Sequence, residues 1–480
     1  MRGHLTPSVT AFLPPWVAQQ RWYAGKGRVP ALRRIGGLRL EDPAGEVGID
    51  VHLLLDETSP TPTTYQVPLT HRGARLPGAD HALIATVEHR SLGNRYIYDA
   101  PHDPVFATAL LRLMLDEATA PSDGATETSE GVQGAGVARG HRVATADPGK
   151  LLASHVLKGE QSNTSIIMDL VDIVGTPSKP LICKLFRVLH HGENPDVVVQ
   201  SALAAAGSTR VPHSVGNVSG EWTDAGAPDG VARGHLAFAQ EFLPGVDDAW
   251  RVALAAVSSG ADFSGQARSL GQATAQVHET LAQAMSTRAA TDDDVVALTR
   301  SMRARHAAAV SEVPALAAYD SMVRASIESV SSATWPALQR IHGDYHLGQV
   351  LDVPGRGWVL VDFEGEPLRP LGERTHPDLA LRDVAGMLRS FDYAAGSWEQ
   401  AHLGQSAGMW AARARTAFLE GYTQSSGRDP RADAVLLNAL ELDKALYEVV
   451  YEARNRPTWL SIPTTAIARL SAGRRSDLRP

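Results

Sequence analysis

The pattern of this chain changes character near Asp247. Before it, short runs rich in β-branched and aromatic residues ("IDVHLLL", "TTYQVPLT", "HALIATVEH", "NRYIYDA", "SIIMDLVDI", "PLICKLF", "HLAFAQEFL") are separated by Pro and Gly breaks, the mark of strands joined by turns. After it the sequence is Ala-rich and reads as helix, interrupted only around 337–370. Strands gathered in one half and helices in the other predict an α+β protein. At 480 residues more than one core is expected. We read residues 1–118 as a first sheet-rich unit and 119–150, rich in Gly, Ala, Ser and Thr, as a linker or surface loop. Residues 151–246 are read as a second α+β unit and 247–480 as a helical one.

Composition removes several classes of function. Apolar content of 44% and charged content of 20% fit a globular chain. The net charge is −8 and no basic block is present, so nucleic acid is not an expected partner. No segment reaches the roughly 18 uninterrupted apolar residues of a membrane span, and the first residues lack the apolar core of an export signal. The single cysteine, Cys183, lies in an apolar run, which fits a buried inert thiol and a cytoplasmic protein.

Chemistry concentrates in "IHGDYHLGQVL", Ile341 to Leu351. Asp344 and Gln349 are five positions apart, the offset of Asp and Asn in the kinase catalytic loop, with a longer amide in place of Asn. A β-run, "WVLV", then delivers Asp362 in "DFEG", where kinases carry a metal-binding D-F-G. Gln349 and Asp362 are the expected magnesium ligands, since Mg²⁺ prefers oxygen donors. Asp344 is the expected acceptor of the substrate hydroxyl proton. Upstream, Lys184 is isolated in the apolar run "LICKLF" and so calls for an anion, the phosphates of ATP. The polar turn ending some 19 residues before it offers Ser162, Asn163, Thr164 and Ser165 as phosphate donors. "AQEFLPG", with Glu241 and Leu243, ends a strand where a hinge can bind adenine. One rival reading makes His342, Asp344 and His346 a metal cage, H-x-D-x-H. Gly343 and Gly348 argue against the extended backbone that it needs.

These motifs resemble the actinobacterial maltokinases, of the aminoglycoside phosphotransferase-like branch of kinase folds. The resemblance runs from "QRWYAGKGR" (Gln20 to Arg28) through "EQSNTS", "GENPD", "HGDYHLGQVL", "DFEGEP" and "LRDVAGMLRSFDYAA" to "ELDKALYEVVYEARNRPTWLSIP". It implies a bilobal protein-kinase-like fold with an extra N-terminal cap. It also implies ATP-dependent phosphorylation of maltose at the anomeric hydroxyl, feeding α-glucan synthesis from trehalose, with a trehalose synthase as a functional partner. One position departs from the family: Val198 stands where a glutamate pairs with the ATP lysine, leaving Asp196 or Glu160 as substitutes.

For the sugar, the helix expected over 438–456 carries an apolar stripe (Leu442, Ala445, Leu446, Val449, Ala453) and an opposite face with Lys444, Tyr447, Glu448 and Tyr451. Tyrosine rings stack on sugars and the charged groups bond hydroxyls. The plain alternative is a solvated Lys444–Glu448 pair. His342 and Arg382 complete the expected substrate contacts, with Arg382 and Asp383 alternatively supporting the catalytic loop. Other readings are a kinase for another sugar, amino sugar or aminoglycoside, and an inactive kinase-like binding module.

Overall fold

The computed structural model describes residues 9–477 apart from 59–61, 90–91, 123–136, 146, 159–161, 228, 367–368 and 370. It divides into two compact units, Met1–Ser201 with Pro212–Pro244, and Ala202–Val211 with Gly245–Pro480.

The first unit opens with helix α1 (Val9–Val17) and strands β1 (Leu32–Leu40), β2 (Gly48–Asp56), β3 (Thr63–Arg72), β4 (Leu83–His89) and β5 (Gly93–Asp99). Helix α2 (Pro104–Leu115) follows, started by Asp103, whose carboxylate accepts from the Val105 N–H at 3.0 Å, and by Pro104 in the first turn. Strands β6 (Thr119–Ala120), β7 (Val137–Arg142), β8 (Lys150–Val156), β9 (Asn163–Val171), β10 (Leu181–Phe186) and β11 (Val188–Leu189) lead to helix α3 (Pro195–Ala205), and β12 (Ser214–Thr223) and β13 (Val231–Glu241) close the unit. One sheet runs β1-β2-β3-β5-β4 with β11 added beside β3, and the other runs β6-β7-β12-β13-β10-β9-β8.

Two boundaries expected from composition are corrected here. Residues 137–142 of the expected linker form β7, hydrogen-bonded to β12 within the second sheet. Small residues hid it: Gly140 is required there because a Cβ would meet the Leu113 carbonyl oxygen of α2. Nor do residues 1–118 stand apart from 151–246. Ile49 and Leu53 of β2, Phe106 and Leu110 of α2, and Leu185 and Phe238 of the second sheet belong to one buried cluster. Burying such a side chain contributes about 1.5–3 kcal/mol. Buried Gln66 of β3 fastens the sheets further, its amide donating to the carbonyls of Phe186 and Leu236 at 2.8 and 2.9 Å. Cys183 is fully buried on β10, and burial pushes its thiol up to about 12.

The second unit is helical: α4 (Ala249–Ser259), α5 (Ser264–Ala284), α6 (Asp292–Glu312) and α7 (Asp320–Ser329), then a hairpin of β14 (Val350–Val353) and β15 (Gly357–Leu360), then α8 (Leu371–Arg374), α9 (Leu381–Ala401), α10 (Gly408–Ser426), α11 (Ala434–Asn455) and α12 (Ser461–Asp477). The hairpin lies within the interruption seen in the sequence around 337–370 and directly follows the "HGDYHLGQ" loop. Among the described residues no helix is long and apolar enough to cross a membrane.

Candidate active site

Asp344 is positioned from behind. The backbone N–H groups of His342 and Gly343 donate to the Asp383 carboxylate at 2.8 and 2.9 Å. His278 Nε2 lies 3.0 Å from the same carboxylate, and its Nδ1 lies 3.0 Å from the Tyr422 hydroxyl. Helices α9, α5 and α10 thus each supply one member of a buried chain that ends on the loop backbone. Asp383 was one of two buttress candidates in the sequence; His278 and Tyr422 carried no local signal.

Two glycines make the packing possible. Gly343 has φ 84°, and a Cβ on it would come 3.3 Å from the Cα of Gly365, so the loop touches the "DFEGEP" turn through residues without side chains. Gly386 of α9 lies against the loop backbone, where a Cβ would come 2.5 Å from the Tyr345 carbonyl oxygen. Gly386→Ala is therefore expected to cost about 1–3 kcal/mol by overpacking and to lower kcat by shifting the loop. Thermal melts and steady-state rates on one preparation check both.

Both loop histidines are engaged in holding the loop. His342 is buried; its Nε2 donates to the Val361 carbonyl at 3.0 Å, its Nδ1 lies 3.4 Å from the Asp344 N–H, and its ring packs on Phe363 at 4.5 Å. His346 caps the short turn Leu347–Gln349, accepting from the Gly348 N–H at 3.0 Å. The cage reading fails on this geometry, and so does the expectation that His342 binds substrate.

Lys444 of α11 donates to Asp344 Oδ1 at 3.0 Å and to Glu366 Oε1 at 2.8 Å. Burial alone would push Asp344 up, but the ammonium of Lys444, with His346 adding to it, holds the carboxyl at about 2. Burial is also the largest influence on Lys444 and lowers it, yet Asp344 and Glu366 outweigh it and leave the amine above its ordinary value. Glu366 is held below its usual range against burial, by Lys444 and then Arg305. Glu366, within "DFEGEP", carries no local sequence signal for this contact.

On the same helix, Tyr447 and Tyr451 are stacked, ring centres 6.5 Å apart and planes at 14°, with the Lys444 ammonium 4.8 Å from the Tyr447 ring centre. Tyr451 is 40% exposed. Two neighbours expected to touch sugar have other partners. Glu448 is buried in an ion pair with Arg389 of α9 at 2.7 Å. Arg382 bonds Asp378 at 2.7 Å and Asp443 at 3.3 Å. The simple face assignment failed because α11 packs against α6, α9 and α12, so several charged residues turn inward and meet arginines. The solvated Lys444–Glu448 pair does not form.

Gln349 donates through Nε2 to Asp362 Oδ2 at 2.9 Å, and Asp362 adopts φ 68°, a left-handed conformation that costs energy in any residue but glycine. An amide and a carboxylate brought this close form an oxygen-bearing pair suited to a hard cation such as Mg²⁺.

In the first unit, Lys184 on β10 bonds Asp196 of α3 at 2.8 Å. Of the two residues expected to pair with Lys184 in place of a glutamate at Val198, Asp196 does so, while Glu160 lies outside the described residues. Ser165 pairs with Lys184 across the strands and Thr164 with Leu185. Successive strand residues face opposite ways, so Thr164 is directed away from the lysine's face. It is buried and its hydroxyl accepts from Arg187 Nε at 2.9 Å, which takes it out of the expected phosphate donors. Ser162 is exposed. Glu241 ends β13 with its carboxylate 3.0 Å from Lys179, and Leu243 follows just beyond the strand.

Residues 16–103 match the model of the maltokinase N-terminal cap domain. A glucosamine kinase of Mycolicibacterium smegmatis (strain ATCC 700084 / mc(2)155) is 31% identical over 340 residues, covering 66% of this chain and 81% of the relative. The chain belongs to the capped, aminoglycoside phosphotransferase-like family of kinases that includes these enzymes. A second relative of this capped kinase, the glucosamine kinase of Streptacidiphilus jiangxiensis, is 29% identical over 304 residues, 58% of this chain and 65% of that one. The fold matches that of a solved glucosamine kinase in complex with glucosamine, ADP and inorganic phosphate, with a TM-score of 0.65, 23% identity and coverage of 97% and 99% of the two chains. Another solved form of glucosamine kinase gives 0.66.

Proposed function

We propose that this capped kinase transfers the terminal phosphoryl group of ATP to the anomeric hydroxyl of maltose, giving maltose 1-phosphate. One observation carries the reading: Lys444 ties the catalytic aspartate to the helix that displays Tyr447 and Tyr451, so a sugar stacked on those rings has Asp344 within the same wall. The charge of this wall supports a neutral sugar. Asp344 and Glu366 are both paired with Lys444, and Arg305 lies 3.5 Å from Glu366. An amino sugar's ammonium would have to compete with that lysine for either carboxylate.

In the reaction, Asp344 orients the anomeric O–H. The oxygen bonds to the γ-phosphorus, the bond to the β-phosphate oxygen breaks, ADP departs, and the proton passes to Asp344. A carboxyl held near 2 is a weak base, which suffices because proton transfer comes late and alignment lowers most of the barrier. Gln349 and Asp362 would hold Mg²⁺, which when bound neutralises phosphate charge. Lys184, kept in place by Asp196, would hold the ATP phosphates with donors from Ser162, Asn163 and Ser165, and the segment of Glu241 and Leu243 would meet adenine. Maltose supplied by a trehalose synthase completes the reading.

The names of the relatives favour a second substrate, glucosamine. A sugar screen for ATP consumption decides between them. Maltose is expected to support ADP release at a kcat/KM about 100-fold above glucosamine, a difference of about 2.7 kcal/mol, with phosphorus NMR placing the phosphate on C1. Glucosamine outranking maltose would transfer the assignment to the amino sugar.

A further inference from the structure

The chemistry above leaves unused the segment that opens "QRWYAGKGR". Gln20, Arg21 and Trp22 line a cavity of about 520 Å³ within the first unit, facing the turn from Leu76 and the end of β8 with Lys158 beyond it. Its volume is in the range of small-molecule sites, about 300–1,000 Å³. Thr164 also lines it, and Thr164 points away from the face of β9 that Ser165 shares with Lys184. The cavity therefore lies on the opposite side of the sheet from the lysine proposed to bind ATP.

Its walls are cationic. Arg21 and Lys158 are exposed, and among the described residues neither has a carboxylate within ion-pairing distance. The lining carboxylate, Asp99, is already neutralised, both oxygens accepting from Arg187 Nη2 at 2.8 Å. That guanidinium is fully buried, stacks 5.0 Å from the Trp22 ring centre and keeps one nitrogen, Nη1, without a partner. Lining His81 and His102 approach to 3.2 Å between ring nitrogens. Leu76, Pro77 and Ala79 add an apolar wall.

We propose that this cavity is a second ligand site that takes a phosphate monoester on a small ring-bearing body, with Arg21 and Lys158 holding the phosphate and the Leu76–Ala79 turn meeting the ring. Two exposed cations without a carboxylate partner among the described residues match the charge of about −1.5 to −2 that a monoester carries at neutral pH. The apolar wall favours an organic ester over free phosphate.

Calorimetric titration of the full chain with glucose 6-phosphate, the nucleotide site saturated with a non-hydrolysable ATP analogue, tests this. One molecule is expected to bind per chain, and Arg21→Gln and Lys158→Gln are each expected to weaken binding about tenfold, as loss of one charged hydrogen bond would. Both side chains are exposed, so the variants keep the wild-type melting temperature. In the wild type alone, raising NaCl from 0.05 to 0.5 M is expected to weaken binding at least about fivefold by screening. The proposal is overturned if the wild type shows no binding at millimolar ester, if the variants bind as the wild type does, if salt has no effect, or if inorganic phosphate binds as tightly as the ester.

Discussion

Asp344→Asn is expected to lower kcat by about 10²–10⁴-fold, the usual contribution of a positioned proton acceptor, while nucleotide binding persists. The substitution keeps the shape of the side chain and an oxygen for Lys444, so the fold and the 3.0 Å contact with α11 can survive. It removes the charge that accepts the proton. Sugar-dependent ADP release and nucleotide titration on the same variant separate the two effects, and unchanged release would sink the mechanism. The wild-type pH profile carries the same signature. Because Asp344 is held at about 2, its ionisation predicts no loss of kcat between pH 8 and pH 5; a fall in that range would have to come from another group.

Lys444→Met is expected to destabilise the helical unit by about 3–5 kcal/mol, the cost of removing one partner from a buried ion pair, and to abolish turnover. The methionine is close to isosteric, so the loss is electrostatic: Asp344 and Glu366 remain side by side with no ammonium between them. The pH dependence distinguishes this from a packing defect. In the wild type Asp344 has a folded value of about 2, below the unfolded value of about 3.9. It therefore contributes stability that is present above about pH 4 and lost as pH falls toward 2. In the variant, burial and mutual repulsion raise both carboxyls above their unfolded values. Folding is then favoured where they are protonated and loses stability as pH rises through the raised values. Urea denaturation should show a smaller deficit at pH 4.5 than at pH 7.5, and an equal deficit at both would rule out the electrostatic account.

The strands of the first unit and the change to helix near Asp247 were legible because period and turn chemistry are local properties. So was the spacing of Asp344, Gln349 and Asp362, since one hairpin and one loop carry all three. Lys184 was legible as a lone charge in an apolar run, and its partner only as a choice between Asp196 and Glu160, because the pairing acts across a strand and a helix. Glu448 faces inward for a related reason. On an ordinary half-buried helix a charged residue opposite the apolar stripe faces water, whereas α11 meets neighbours on several sides and Arg389 receives Glu448 in the interior. His278 and Tyr422 lie 144 residues apart, and only tertiary packing brings them together beneath the loop. The strand at 137–142 escaped because small residues that admit close backbone packing look, in composition, like those of a flexible linker.

Asp344 and Lys444 are separated by 100 residues. As the polypeptide is synthesised, the loop with every signature of catalysis emerges well before the ammonium that keeps its aspartate charged. A chain arrested between them holds Asp344 without Lys444. The contact that holds Asp344 below its ordinary range is therefore completed only when α11 is in place.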